Sequence, residues 1–138
     1  MAKAPIPNTA PIESNIQLKD KYKGAIALPS FNESKSLPAV LESLLKNPPE
    51  LLEQTLILIN VNNRTSADNS DNLQTLKYLR EFKSPLQLAW LNSTEEFSFA
   101  DKFGVGLARH QACSATYKFL DENSPIISLD SDSPVNPE

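Results

Sequence analysis

At 138 residues the chain has room for one domain with a real hydrophobic core, and is shorter than many two-substrate enzymes. Hydrophobic residues make up 40% and charged residues 22%, as in soluble globular proteins, and the net charge is -4. Without a cluster of Lys and Arg, that balance argues against a nucleic-acid backbone as the main partner. No apolar run approaches bilayer-spanning length, and "MAKAPIPNTAPIESN" lacks the hydrophobic centre of a signal peptide, so a cytoplasmic location is expected. Cys113 stands alone, which excludes a disulfide framework or a thiolate metal cluster, and reads as a small residue packed on a helix.

Residues 1–20 carry Pro5, Pro7 and Pro11 among polar residues without periodicity, and read as a flexible N-terminal arm. From residue 21 onward, short apolar runs alternate with longer amphipathic stretches. Ala25 to Leu28 reads as a buried strand stopped by Pro29. In "SLPAVLESLLKN", Leu37, Val40, Leu41, Leu44 and Leu45 recur at helical spacing, with Ser36 as N-cap and Pro48 and Pro49 closing the helix.

"TLILINV" is apolar or β-branched throughout, as expected of a parallel strand covered on both faces. The loop "NNRTSADNSD" leads into "NLQTLKYLREF", whose Leu73, Leu76, Leu79 and Phe82 share a helical stripe. "LQLAWL" makes a third strand, with Trp90 in the core. "GVGLARHQACSATYKFLDEN" makes a third helix starting near Gly104 and Gly106, with Tyr117 and Phe119 available for packing. "PIISL" makes a fourth strand, which delivers Asp130.

Strands alternating with helices predict an α/β fold with a mainly parallel sheet and right-handed crossovers. Ligands of such sheets gather at the carboxyl ends of the strands, and the polar motifs "PSFNE", "NNRTSAD" and "DSDS" all fall there. The chain has only three glycines, so the first turn, "PSFNES", cannot be a dinucleotide or Walker-type phosphate cradle. Phosphate would then have to be met by basic side chains or by a metal. Asp130 and Asp132 offer an oxygen-only site suited to Mg²⁺ or Mn²⁺. An Asp-x-Asp triplet alone arises by chance in roughly one chain in three of this size, and its plain alternative is a solvated turn. Its place after an apolar strand, in register with two other polar loops, raises the metal reading above that rate.

Taken in order, these motifs resemble family 2 glycosyltransferases in their nucleotide-sugar-binding half. "IALPSFNESKSLPAVLESLL" is similar to the family's opening strand, P-x-aromatic-N-E loop and first helix. "LILINVNNRTSAD" is similar to its second strand and acidic loop, and "GVGLARHQACSATYKFLDENSPIISLDSDSPVNP" to the helix rich in Gly, Ala and Arg and the strand that ends in the D-x-D motif. The resemblance spans Lys23 to Glu138. It implies a GT-A, Rossmann-like three-layer sandwich, incomplete here, with residues 21–138 forming the donor-binding half and the acceptor half lacking. It also implies that Pro29, Phe31 and Glu33 line the nucleoside pocket, and that Asp130, Ser131 and Asp132 face the ribose, the diphosphate and an Mn²⁺ or Mg²⁺ ion. Asn62 would take the place of a base-reading aspartate, and Asp68 would be the closing Asp of the second loop. Arg109 would reach phosphate or brace the loop.

The implied reaction moves a sugar from a UDP- or GDP-linked donor to a hydroxyl of a saccharide, lipid or protein acceptor. The segment by itself is expected to bind donor and to transfer nothing, since acceptor site and catalytic base belong to the other half. A sheet ending on an open edge is also open to homodimerisation, and the full-length protein to peripheral membrane association. Two alternatives belong to other classes: a non-catalytic nucleotide-binding remnant, and a haloacid-dehalogenase-like phosphatase with Asp130 as nucleophile. The phosphatase family places its D-x-D motif on the opening strand, whereas here it comes last.

Overall fold

The computed structural model describes residues 9–100, 103 and 105–129, and these form a five-stranded sheet with helices on both faces. In chain order the elements are β1 (Ile12–Ser14), β2 (Gly24–Ser30), α1 (Leu37–Leu44), α2 (Pro49–Glu53), β3 (Thr55–Asn62), α3 (Ser70–Glu81), β4 (Gln87–Ser93), α4 (Val105–Thr116) and β5 (Ile126–Ser128). The strands lie in the order β1-β4-β3-β2-β5, with β2, β3, β4 and β5 parallel and β1 antiparallel to β4. The parallel part runs outward from β2 through β3 to β4 and then returns to place β5 on the other side of β2. The switch point therefore lies between β2 and β5.

Strand alternation sorts the core into two clusters. Ile57, Ile59, Val61, Leu28, Leu88 and Trp90 face α1, α2 and α3, meeting Leu37, Val40, Leu41, Leu44, Leu52, Leu76 and Leu79. Ala25, Leu56, Leu58 and Ala89 face the other way, with Tyr22 and Leu120. There α4 packs across β2 and β3. Small residues on both sides of that contact, Ala25 and Ala27 on β2 and the fully buried Ala108 and Ala112 on α4, let the helix backbone come close to the sheet. Burial of a Leu or Ile side chain of the larger cluster stabilises the fold by about 1.5–3 kcal/mol.

Several details differ from the sequence expectation. Within the stretch read as an arm, Ile12–Ser14 forms β1, pairing Glu13 with Trp90; Ser14 Oγ also donates to Leu88 O at 2.6 Å. A three-residue strand is too short for any alternation to show in sequence. Ser36 occupies the N-cap of α1 but makes no side-chain cap bond. Pro48 and Pro49 do not close α1, which ends at Leu44; they open α2, where a proline's missing N–H costs nothing at N1. Leu73 is 48% and Tyr117 60% exposed, so neither belongs to the core. β5 is an edge strand, not a covered one, and leaves Ile127 53% exposed. Among the described residues no helix is long and apolar enough to cross a membrane.

Candidate functional site

Pro29 determines where the sheet opens. Ala25 N–H donates to Pro125 O, and Leu129 N–H to Ala27 O, so alternate residues of β2 turn their backbone toward β5. Pro29 is next in that series and has no N–H to extend the ladder. Pairing of β2 with β5 stops at Ala27–Ser128, while pairing with β3 continues to Ser30–Val61. The described pairing of β2 with β5 thus ends three residues before its pairing with β3 does.

The floor of this region is built from neutral amides. Asn60 is fully buried; its Nδ2 donates to Ala108 O at 3.1 Å and to Gln111 Oε1 at 3.2 Å, and its Oδ1 accepts from Ser93 Oγ. One side chain thus ties β3 to β4 and to the start of α4. Asn62, 3% exposed, donates to Ser30 O at 3.1 Å and to Asn60 O at 3.2 Å. Both N–H donors of this amide are taken by backbone, leaving Oδ1 as its acceptor. Asn72, on α3, accepts from Asn32 N–H at 3.0 Å and donates to Asn63 Oδ1 at 3.1 Å, which couples the loops after β2 and β3. Asn32 needs that support because it sits at φ 55°, a left-handed conformation that Asn tolerates better than most residues.

Above this floor, the Arg64 guanidinium lies 5.2 Å from the centre of the Phe31 ring. Sequence reasoning did not single out Arg64. Its one signal is position, directly after two asparagines at the end of β3. Its backbone is held from both sides: Phe99 N–H donates to Asn63 O at 2.8 Å, and Thr65 N–H to Phe99 O at 2.9 Å, with Phe99 fully buried. Glu33 is half-buried, and its carbonyl accepts from Ser36 and Leu37 N–H at the entry to α1. Arg109 is half-buried on α4, directly after Ala108.

The carboxylates of the second loop serve helix and loop geometry. Asp68 is fully exposed and accepts from Ser70 N–H at 3.0 Å and Ser70 Oγ at 2.9 Å, where α3 begins. These bonds, the backbone one foremost, hold its carboxyl below the usual aspartate value. Asp71 accepts from Ser34 N–H at 3.0 Å and from Ser34 Oγ, pinning the loop after β2 to α3. The lowered Asp68 carboxyl favours the folded state above the unfolded-state pKa near 3.8, and that contribution fades as pH falls through the lower folded value. Asp68→Asn is therefore expected to lower the Tm at pH 7 and to leave it closer to wild type at pH 2, as read by thermal melts across that range.

The structure thus brings Pro29, Phe31, Glu33, Asn62, Asp68 and Arg109 to the carboxyl end of the sheet. Asp130, Ser131 and Asp132 lie outside the described residues. The described chain reaches Leu129, hydrogen-bonded beside Ala27 at the switch point. Among the described residues no group of three or more His, Cys, Asp or Glu occurs that could hold a metal. An apolar cavity of about 300 Å³ opens at the opposite end of the strands, lined by Gly24, Ile26, Leu44, Leu52, Ile57 and Ile127 among others. No carboxylate, histidine or thiol lines it, and the edge position of β5 accounts for its opening.

A mostly parallel sheet in this order, sandwiched by helices, is a Rossmann-like fold of the glycosyltransferase type. Among solved structures the chain is similar to TarS of S. aureus, a glycosyltransferase, with a TM-score of 0.52 and 23% identity over 86% of this chain. A structure of TarS 1–349 gives 22% identity and a TM-score of 0.49, covering 86% of this chain and 29% of that one. The chain spans 18% of the longer TarS structure. No family profile and no curated protein matches the sequence.

Proposed function

We propose that this chain is the nucleotide-sugar-binding segment of a metal-dependent glycosyltransferase related to family 2. The observation that carries the reading is the meeting of two polar loops at the carboxyl ends of β2 and β3. They are joined through Asn32, Asn72 and Asn63 and carry the Phe31 ring just beyond the end of β2, against Arg64. The fold likeness to TarS supports it.

In this reading Phe31 offers a face for a nucleobase, Pro29 and Glu33 bound the nucleoside, and Asn62 presents its Oδ1 toward the base. Asp68 closes the second loop, and Arg109 reaches phosphate from the start of α4. Asp130 and Asp132, with Ser131 between them, would hold the Mn²⁺ or Mg²⁺ ion. Bound there, the ion would supply Lewis-acid stabilisation of the leaving diphosphate. The donor is a UDP- or GDP-linked sugar and the acceptor a hydroxyl of a saccharide, lipid or protein.

Calorimetric titration with UDP, GDP and CDP, with and without Mn²⁺, tests the reading. The expected result is binding that Mn²⁺ strengthens and that Asp132→Ala weakens by about ten-fold or more, equivalent to at least about 1.4 kcal/mol. Equal affinity with and without the ion would remove the metal from the proposal. Absence of binding by any of the three nucleotides would remove the donor site.

A further inference from the structure

The contact between Arg64 and Phe31 joins two side chains whose backbones are fixed, and it leaves the Arg64 Nε donor unused. Asn32 N–H is anchored on Asn72, so the loop carrying Phe31 is held to α3. Arg64 is anchored through its neighbours Asn63 and Thr65 on Phe99. The Arg64 Nε is buried and has no hydrogen-bond partner. Neither of the ion pairs among the described residues, Lys19–Glu53 and Arg80–Glu13, involves it. Asp68 of the adjacent loop and Asp71 in the first turn of α3 are bonded to Ser70 and Ser34 instead.

A half-buried guanidinium that rests on a ring, with no anion paired to it among the described residues, is poised to take one. A cation–π contact is weaker than the paired, charge-assisted bonds that a guanidinium makes to a phosphate. A planar base would also need the ring face that the guanidinium now covers.

We propose that Arg64 is a second phosphate-reading residue of this site beside Arg109: it lies on Phe31 in the free chain and moves onto the diphosphate of a bound nucleotide, which uncovers the Phe31 face for the base. The inference rests on the donor-site reading and adds to it the group that couples base binding to phosphate binding. A nucleoside lacking phosphate must displace Arg64 without compensation, whereas a nucleoside diphosphate supplies it.

Titration of wild type, Arg64→Ala and Phe31→Ala with uridine, UDP and inorganic pyrophosphate tests this. Arg64→Ala is expected to weaken UDP and pyrophosphate by about ten-fold or more and to leave uridine as tight as before or tighter. Phe31→Ala is expected to weaken uridine and UDP and to spare pyrophosphate. If Arg64→Ala melts early, Arg64→Gln removes the charge while keeping a planar group on the ring, and carries the same expectation. UDP binding by wild type that Arg64→Ala leaves within two-fold would overturn the role of Arg64 and leave the donor site standing, as would equal losses for uridine and UDP. Failure of wild type to bind either UDP or pyrophosphate would overturn both.

Discussion

Asn60→Asp is expected to leave the chain unfolded at pH 7. The Asn60 side chain is fully buried, and its Nδ2 faces two acceptors, Ala108 O and Gln111 Oε1. Aspartate would set a carboxylate oxygen against both and strip it of water. Burying an unpaired charge costs several kcal/mol, against a total stability of about 5–15 kcal/mol for a domain. The aspartate would respond by raising its pKa, so stability should recover as pH falls from 7 toward 5 and the carboxyl takes up a proton. Asn60→Leu introduces no charge but takes away the acceptor of the Ser93 hydroxyl, at about 1–3 kcal/mol for a buried group left unsatisfied. Urea unfolding followed by circular dichroism at both pH values separates the cases. Asn60→Asp as stable as wild type at pH 7 would mean that the amide network does not hold β3, β4 and α4 together.

The second large effect is expected at Trp90. Its ring is 1% exposed within the cluster under α1 and α3, and its Nε1–H donates to Glu13 Oε2 at 2.7 Å. Trp90→Ala should cost about 3–5 kcal/mol through lost contacts and the cavity left behind. Trp90→Phe keeps most of the ring volume and forfeits the bond to Glu13, whose carboxylate is partly exposed and turns to water and to Arg80. It should therefore cost less than half as much. Circular dichroism is the suitable probe, because Trp90 is the chain's one tryptophan and both variants remove its fluorescence. A loss below about 1 kcal/mol in Trp90→Ala would contradict the packing of this cluster.

The parallel sheet was legible because its strands are continuous apolar runs and its helices repeat leucines at three and four. Leu37, Val40, Leu41, Leu76 and Leu79 are buried as that spacing demands. Leu73 shares the spacing yet lies outside, because periodicity defines a stripe and not how far the neighbouring layer reaches. β1 was not legible: three residues, Ile12–Ser14, owe their strand to a pairing with β4 far along the chain. That polar loops gather at the carboxyl ends of β2 and β3 was legible from polar motifs following apolar runs. What those loops do was only partly so. Asn62 looked like a base-reading group, but its amide nitrogen also ties β2 to β3. Asp68 is explained by the start of α3. Arg64 carried no motif, since the ring it covers belongs to a loop some thirty residues earlier and only folding brings the two together.

The seating of β1 on β4 also has a meaning in time. Glu13 leaves the ribosome long before its partner Trp90, which follows it by 77 residues. At usual synthesis rates of about 5–20 residues per second, the strand waits roughly 4–15 s for the surface it will join. β2, β3 and α1 are complete well before that, so the middle of the sheet can collapse while its first-made strand is still unpaired. The beginning of the chain can then take its place in the sheet only once β4 has been made, and it seats its glutamate on the tryptophan as it does so.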